Sequence, residues 1–231
     1  MVLKIILISF VGGLICLDRV FIQTMMSRPI VIAPVIGIIL GNPYAGLIIG
    51  AILELFWMDR MPIGIYIPPN DSIAAAFAVS LAILAGQSLG AVTKELMTLS
   101  ILMAIPFGIV AKRIDVKIIE SNNLLSDQAL EDAKAVNIPA IERKVYLGLA
   151  KVATFYIVLL FLLQIIFIPA LIWIYPNLPL TFKAMLSLMY YFLPLLGIAV
   201  ALNSIKLRGD VPVFCAVFLV VAAALEFFNV L

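Results

Sequence analysis

The chain contains no histidine among its 231 residues. Histidine titrates near neutral pH and is the commonest metal ligand and acid–base catalyst of proteins. Any imidazole-based step, phosphate transfer through phosphohistidine included, must therefore take place on another chain. The two cysteines, Cys16 and Cys215, lie in separate apolar runs with no CxxC spacing. We interpret both as small buried hydrophobic residues, and we expect no metal site and no cofactor.

Charge is also scarce, with 12% charged residues against 65% hydrophobic ones. A soluble domain has about a quarter charged and about half apolar residues. A soluble fold of this length has too little interior to bury so much apolar surface, so the solvent for most of the chain is lipid. The net charge of +2 supplies no basic face for a nucleic acid. The composition predicts an all-α polytopic protein of the lipid bilayer.

Long apolar segments supply the membrane-spanning helices, each of which needs about 20 residues. The predicted spans are Ser72–Thr93, Gly148–Tyr175, Ala184–Asn203 and Val211–Leu231. One further segment, Leu96–Ala111, is slightly short for a span but remains a candidate.

The N-terminal third has shorter apolar runs, interrupted by Asp18, Arg19 and Arg28 and by turn residues. Irregular backbone is tolerated inside a bilayer only where protein or a water-filled cavity shields it. We therefore predict broken or re-entrant hairpin helices here, and we assign the transport site to this membrane region, residues 1–111. The short runs are Val2–Leu17, Pro29–Leu40 and Tyr44–Met58.

Residues 112–151 carry seven lysines and arginines together with six acidic residues. The excess of basic residues favours the cytoplasmic side of the membrane. We predict that 112–147 is a cytoplasmic or interfacial charged loop or amphipathic helix, with a helix start at Ser126 or Asp127. It either binds a partner or membrane surface, or is a solvated linker. Residues 148–231 form the C-terminal membrane helices.

Glu54 is the one carboxylate within the apolar run 44–58. A charge at that depth costs a few kcal/mol unless it faces the bundle interior or a partner. One interpretation is hydrogen bonding to a polar solute, and the other is an ion pair with Arg28 or Arg19. The two are compatible, because a fixed ion pair still presents oxygens to a solute.

Arg28 and the segment Ile67–Ser72 each mark a helix start. Pro29 keeps Arg28 out of the helical conformation and is itself suited to the first helical position. Arg28 is then either aimed at a site by this turn or is an interfacial arginine that reaches toward water. Asn70, Asp71 or Ser72 caps the following helix. The free N–H groups there either bind a polar ligand or are simply capped at the bilayer surface.

Some remaining features have a packing interpretation. Gly37 with Gly41, and Gly46 with Gly50, are spaced four residues apart, which lets helices approach closely. Gln87 and Asn203 are isolated polar residues whose simplest use is hydrogen bonding between helices.

Several stretches together resemble the enzyme IIC component of the mannose/fructose/sorbose class of bacterial phosphotransferase systems. The resemblance is strongest from Leu17 to Ala85 and continues loosely to a block at 201–214. The stretches are Ser27–Ile30, Gly37–Gly41, Gly46–Glu54, Ile63–Asp71 and Ala85–Gly90. One departure is Gln87, where members of the family have a histidine nearby.

The resemblance implies a sugar permease of the bacterial cell membrane that is not itself an enzyme. A membrane partner, IID, would share the binding and translocation of a hexose, and cytoplasmic IIA and IIB phosphocarriers would phosphorylate it. An oligomer is also implied. We expect Glu54, Arg28 and Asp71 to contact the sugar, with Asn70, Gln87 and Asn203 in support.

Two other functions remain open at this point. One is a stand-alone secondary transporter in which Glu54 couples uptake to a proton. The other is a non-transporting assembly or receptor subunit whose working part is the charged segment 112–151.

Overall fold

The computed structural model describes residues 1–60, 66–205 and 210–227. Part of the Ile63–Asp71 stretch and the end of the predicted span Val211–Leu231 lie outside these ranges. The described residues form helices without strands. The helices are α1 Val2–Leu17, α2 Pro29–Ile39, α3 Pro43–Phe56, α4 Asp71–Leu89, α5 Lys94–Lys134, α6 Ile138–Ile174, α7 Leu180–Ile205 and α8 Asp210–Phe227, with a 3₁₀ turn Tyr175–Asn177 after α6.

The first three helices are short, as the sequence predicts. At 1.5 Å per residue, the 11 residues of α2 extend about 16 Å, which is half of the roughly 30 Å hydrocarbon core. Arg28 precedes α2 in an extended conformation (φ −62°, ψ 142°) with Pro29 at the first turn. The chain reverses at Gly41, whose φ of +79° suits glycine. Helices α2 and α3 thus form the predicted re-entrant hairpin.

Glycines set the spacing of this hairpin. A Cβ atom on Gly46 would lie 2.5 Å from the carbonyl oxygen of Ala33, and one on Gly50 would lie 2.6 Å from that of Pro29. Any larger side chain at either position would force the two helices apart. The predicted packing role of these glycines is confirmed.

Helix α4 is the centre of the bundle, buried from Ser72 to Gly86. It is rich in alanine and apolar on all sides, as a helix surrounded by others must be. The Asn70 side chain caps it by accepting a hydrogen bond from the Ile73 N–H at 3.0 Å. Of the three predicted caps, Asn70 is therefore the one used.

Helix α5 runs without a break from the apolar segment through the charged one, and it crosses the predicted boundary at 111/112. The predicted helix start at Ser126 or Asp127 is wrong. Both residues are exposed, and a polar side chain that points to water is tolerated inside a helix. The chain turns instead at Val136, which has a φ of +56°. Asn137 then caps α6.

Helices α5 and α6 form a long hairpin beyond the apolar bundle. Lys144 of α6 contacts the Asp132 carboxylate and donates a hydrogen bond to the Gln128 carbonyl oxygen of α5 at 3.0 Å. These contacts hold the charged segment as a paired helical extension.

Four helices in the described part of the chain are long and apolar enough to cross a membrane, namely Asp71–Leu89, Lys94–Lys134, Ile138–Asn177 and Leu180–Asn203. They contain the predicted spans at 72–93, 96–111, 148–175 and 184–203 in whole or large part. The described apolar part of α8, Pro212–Ala224, is shorter than a full span. Cys16 is buried as predicted, whereas Cys215 on α8 is exposed, so its predicted burial is wrong.

The helices bring polar residues to two ends of the bundle. Helices α1 and α3 end, and α2 and α4 begin, at one end, which we call the cavity end. The α5–α6 extension lies there too. At the opposite end, Gln87 of α4 meets Lys4 of α1 and Leu40 of α2, and Thr93 meets Tyr175. The α2–α3 hairpin therefore leaves the cavity end, turns at Gly41 near Gln87, and returns.

Candidate functional site

Arg19 and Asp71 form an ion pair at the cavity end. An Arg19 Nη1 donates to the Asp71 Oδ1 at 2.6 Å. Its Nη2 donates to the carbonyl oxygens of Pro68 and Pro69 at 3.3 Å and 3.2 Å. The side chains are 20% and 16% exposed, so the pair is largely shielded but reaches solvent. Arg19 thus fixes the turn before α4 while a charged pair remains accessible.

A second ion pair joins the two helices of the re-entrant hairpin. Arg28 Nε donates to Glu54 Oε1 at 2.7 Å, and the Ile30 N–H donates to Glu54 Oε2 at 3.3 Å. Glu54 on α3 therefore neutralises Arg28 and also occupies a free N–H of the first turn of α2. Of the two ion-pair partners that the sequence leaves open for Glu54, Arg28 and Arg19, the structure uses Arg28.

Asn70 links the start of α4 to the middle of α5. Its Nδ2 donates to Asp115 Oδ2 at 2.9 Å, and its backbone N–H donates to the Gly108 carbonyl oxygen at 2.9 Å. Asp115 is only 8% exposed, and its Oδ1 makes no well-aligned hydrogen bond to a residue that the structure describes, although the Tyr156 hydroxyl lies close to the carboxylate. A nearly buried carboxylate oxygen with an unused lone pair is uncommon and calls for an explanation.

The connection between α1 and α2 is held by Asp18. Its Oδ1 accepts from the Thr24 backbone N–H and hydroxyl at 2.9 Å and 2.7 Å. Its Oδ2 accepts from the Ser27 backbone N–H at 3.3 Å. Desolvation acts to raise the pKa of Asp18, but these hydrogen bonds to the charged form outweigh it and lower the pKa. Asp18 therefore remains ionised and keeps the connection folded.

These groups surround a cavity of about 1240 Å³. It lies between the two connections at 18–28 and 66–71 and the α5–α6 extension. The cavity is lined, among others, by Arg19, Arg28, Asp71, Asp115, Asn122 and Tyr156. The Asn122 Oδ1 also lacks a hydrogen-bond partner. Two unpartnered oxygens of α5 therefore belong to cavity-lining residues.

The structure brings four of the six predicted site residues together. Arg28 and Asp71 line the cavity, Glu54 binds Arg28, and Asn70 binds the lining residue Asp115. All four occupy the cavity end.

The other two predicted residues lie elsewhere. Gln87, at the opposite end, accepts from Lys4 Nζ at 2.7 Å and donates to the Leu40 carbonyl oxygen at 2.7 Å. Asn203 is exposed on α7 and is not among the cavity-lining residues.

Sequence reasoning did not select Arg19, Asp115 and Asn122 as site residues. Asp115 lies in the charged segment 112–147, where a carboxylate is expected to be solvated. Its burial has one signal in the sequence: Ala104, Gly108 and Ala111, which are buried on α5, continue at helical spacing to Asp115 and place it on the same face. Among the residues that the structure describes, no three acidic or cysteine side chains gather as a metal site.

Comparison with curated proteins finds permeases of one transport class. The chain is 36% identical over 80 residues to the putative N-acetylgalactosamine permease IIC component 2 of Escherichia coli K12, which is 35% of this chain and 58% of that protein. It is 31% identical over 88 residues to the fructose permease IIC component of Bacillus subtilis, 38% of this chain and 33% of that protein. The mannose-specific EIIC component of Escherichia coli K12 is 30% identical over 89 residues, 38% of this chain and 34% of that protein. The matched parts are thus less than two thirds of each relative.

Two solved structures share the fold. One, described as a membrane protein, superposes with a TM-score of 0.75 at 20% identity, over 100% of this chain and 93% of that chain. The other is a cryo-EM structure of the mannose transporter ManYZ in complex with microcin E492, with a TM-score of 0.64 at 21% identity, over 96% and 87% of the two chains.

The family model of the phosphotransferase-system (PTS) sorbose-specific IIC component matches residues 2–230, which is nearly the whole chain. The irregular N-terminal third and the spans that follow it are therefore parts of one family fold. The chain belongs to the sorbose-specific IIC component family of phosphotransferase-system permeases and is a multi-pass membrane protein.

Proposed function

We propose that this chain binds a hexose in the cavity and carries it across the cell membrane as the IIC subunit of a phosphoenolpyruvate-dependent phosphotransferase system. A IID membrane subunit shares the translocation, and IIA and IIB phosphocarriers phosphorylate the sugar. The observation that carries the proposal is the pair of unpartnered oxygens, on Asp115 and Asn122, in a cavity that also contains an ion pair.

The chemistry of the cavity suits a neutral polyol. Sugar hydroxyls donate to carboxylate and amide oxygens and accept from guanidinium groups. Hydrogen bonds to charged groups are stronger than those between neutral groups. Because Arg19 and Arg28 are already neutralised by Asp71 and Glu54, a neutral solute adds no net charge to the site.

The size of the cavity indicates a vestibule. Ligand pockets of proteins enclose roughly 300–1000 Å³, and this cavity of about 1240 Å³ exceeds that range. A hexose would fill only the part next to Arg19, Asp71 and Asp115. The remaining volume, along the α5–α6 extension, offers a route by which the sugar leaves.

The charge distribution supports a cytoplasmic location for this vestibule. The basic residues at 112–151 favour the cytoplasm, and cavity-lining residues such as Asn122, Ser126 and Lys144 belong to the same extension. The sugar would therefore be released toward the compartment that contains the phosphocarriers. This agrees with the absence of histidine from the chain, because the phosphate stays on partner proteins.

The apolar outer faces of the bundle suit lipid and partner subunits. Large side chains such as Leu3, Phe10, Tyr44 and Trp173 are exposed on the surface of the isolated chain. We assign these surfaces to the bilayer, to IID and to copies of the chain in an oligomer.

The test is uptake of labelled sugar in bacterial cells that express this chain with its IID, IIA and IIB partners. Mannose, fructose, sorbose and N-acetylgalactosamine form the panel. We expect uptake of at least one sugar as its phosphate, dependent on phosphoenolpyruvate and on every partner. Uptake by the purified chain alone, abolished by a protonophore, would instead establish the proton-coupled transporter.

The third candidate function has its own test. Replacing residues 130–143, which do not line the cavity, by a short linker should leave partner binding intact if the chain is a permease. Loss of partner binding together with normal sugar binding would favour an assembly or receptor subunit.

A further inference from the structure

Two buried polar side chains in the middle of the bundle make no hydrogen bond to any residue that the structure describes. They are Ser9 on α1, which is 1% exposed, and Gln164 on α6, which is 0% exposed. The Ser9 Oγ and both the Oε1 and the Nε2 of Gln164 are unpartnered. A buried amide with neither end satisfied costs free energy in the packed state, so its presence requires another use.

The two side chains occupy the same level of one helix–helix seam. Helices α1 and α6 run antiparallel, since a Cβ on Gly13 would lie 2.5 Å from Ile157 and one on Gly12 would lie 3.2 Å from Leu160. The next turn of α1 toward its N-terminus carries Ser9. The next turn of α6 toward its C-terminus carries Gln164. Ser9 and Gln164 therefore face the same seam, beyond the two glycines.

The seam leads out of the cavity. Val152 and Tyr156 of α6 line the cavity, and Gln164 lies two turns beyond Tyr156, about 12 Å along the helix. At the far end of α1, Lys4 hydrogen-bonds to Gln87 at the opposite end of the bundle. Ser9 and Gln164 thus lie between the two ends, along the direction that a transported solute must travel.

We propose that Ser9 and Gln164 form a second contact point for sugar hydroxyls, which the sugar meets when α1 separates from α6 during passage. The proposal rests on the proposed transport function. A primary amide offers both donors and acceptors, and a serine hydroxyl offers one more of each, which matches a polyol. Groups that are unpaired in the closed seam become paired as the sugar passes.

The backbone of α1 approaches α6 closely. At Gly12 and Gly13 no α1 side chain lies between the α1 backbone and Leu160 and Ile157 of α6. The other face of α1, with Leu3, Leu7 and Phe10, is exposed in this chain. Ile5, Ile8 and Cys16 of α1 are buried in the core, so contact with the sugar must offset the loss of their packing when α1 moves away from α6.

If Gln164 has only a structural role, its replacement should leave transport unchanged. Replacing an unsatisfied buried glutamine by leucine, which has a similar volume, is expected to be neutral or stabilising. Transport would then be unaffected. A residue that the sugar contacts would instead be retained at a cost in stability, and its loss would slow transport.

The experiment compares Gln164→Leu with Gln164→Asn and with Ser9→Ala in the assembled complex, measuring initial rates of phosphoenolpyruvate-driven uptake of the four-sugar panel. For Gln164→Leu we expect a maximum rate lower by about tenfold, as loss of one hydrogen bond in the passage barrier implies. The sugar concentration that gives half the maximum rate depends on binding in the cavity and should stay nearly constant. The melting temperature of the complex should be equal to that of the wild type or higher. Gln164→Asn should recover part of the rate, and Leu163→Met is the matched control on α6.

Cysteine labelling supplies a second readout. In a Cys16→Ala, Cys215→Ser background, Ser9→Cys in the complex should react with a charged methanethiosulfonate reagent, and the transported sugar should slow the reaction. Ile8→Cys, equally buried on α1, should remain unreactive.

The outcomes separate the two proposals. Normal uptake by Gln164→Leu, or an unreactive Ser9→Cys in a complex that transports sugar, would overturn the second contact point alone. No uptake of any panel sugar by the wild-type complex would overturn the proposed function and the contact point with it.

Discussion

The polar residues at the two ends of the bundle differ in their burial and in their hydrogen-bond partners. At the cavity end, Arg19, Arg28 and Asp115 are shielded and bind partners across helices, while one oxygen of Asp115 stays free. At the opposite end, Lys4 and Gln87 are exposed and satisfy each other. The same helix, α4, carries Asp71 at one end and Gln87 at the other.

This difference in burial is the basis for assigning the proposed sugar site to the cavity end. Exposed polar contacts contribute little to stability, because water competes for both partners. Shielded charges are costly unless paired, and an unpaired oxygen among them is retained only for a reason. The burial and pairing of these groups support the proposed site at the cavity end, and we expect the opposite end to lie at a surface in contact with water.

The largest expected effect follows from removing Glu54. Glu54→Ala should abolish uptake, because it leaves Arg28 unpaired beside the cavity and frees the Ile30 N–H. Each lost charge-assisted hydrogen bond is worth about 1.5–3 kcal/mol, so two exceed a hundredfold in rate or affinity. The measurement is uptake together with co-purification of IID, which should persist. Full uptake by Glu54→Ala would remove Glu54 from the site, and Glu54→Gln should be intermediate.

The next effect concerns the other ion pair. Asp71→Asn keeps the size of the side chain but removes the charge opposite Arg19, and should lower sugar affinity by roughly tenfold to a hundredfold. Titration calorimetry of the complex with sugar would measure it. The control is Asp127→Asn, which neutralises an exposed carboxylate of α5 that does not line the cavity. Equal losses in the two variants would contradict the assignment.

A smaller effect is expected at Asp115. Asp115→Ala removes the unpartnered oxygen and one hydrogen bond to Asn70, and should weaken sugar binding by about threefold to tenfold. Asn122→Ala should act in the same direction. If Asp115→Ala lowers the melting temperature but leaves affinity unchanged, the carboxylate serves only to hold α5 against α4.

The smallest effect tests the opposite end. Gln87→Ala breaks contacts with Lys4 and Leu40 that are open to water, and should change uptake by less than about twofold. A loss as large as that of Glu54→Ala would show that the site extends along the whole of α4.

The sequence predicts much of the N-terminal fold, for identifiable reasons. Prolines at positions 29 and 43 start α2 and α3, glycine at 41 reverses the chain, and the run lengths match the observed helices within one or two residues. The sequence offers three caps for α4, Asn70, Asp71 and Ser72, because local side-chain chemistry decides capping, and the structure uses Asn70.

Ion pairs between side chains that are distant along the chain could not be predicted as well from the sequence. Arg28 and Arg19 were equal candidates for Glu54, and only the packing of α2 on α3 selects Arg28. The Arg19–Asp71 pair joins residues 52 apart along the chain. In 112–134 the charges resemble a loop, but a helix exposed to water needs few apolar residues. Family resemblance pointed to the N-terminal third, but not to Asp115 on α5.

Site-specific protection by the transported sugar tests most directly whether sugar occupies the cavity end. In the Cys215→Ser complex, the rates at which a thiol reagent modifies Ile118→Cys, which lines the cavity, and Lys4→Cys, at the opposite end, are measured with and without the transported sugar. We expect the sugar to slow modification of Ile118→Cys severalfold and to leave Lys4→Cys unchanged. Protection of Lys4→Cys without protection of Ile118→Cys would contradict the account.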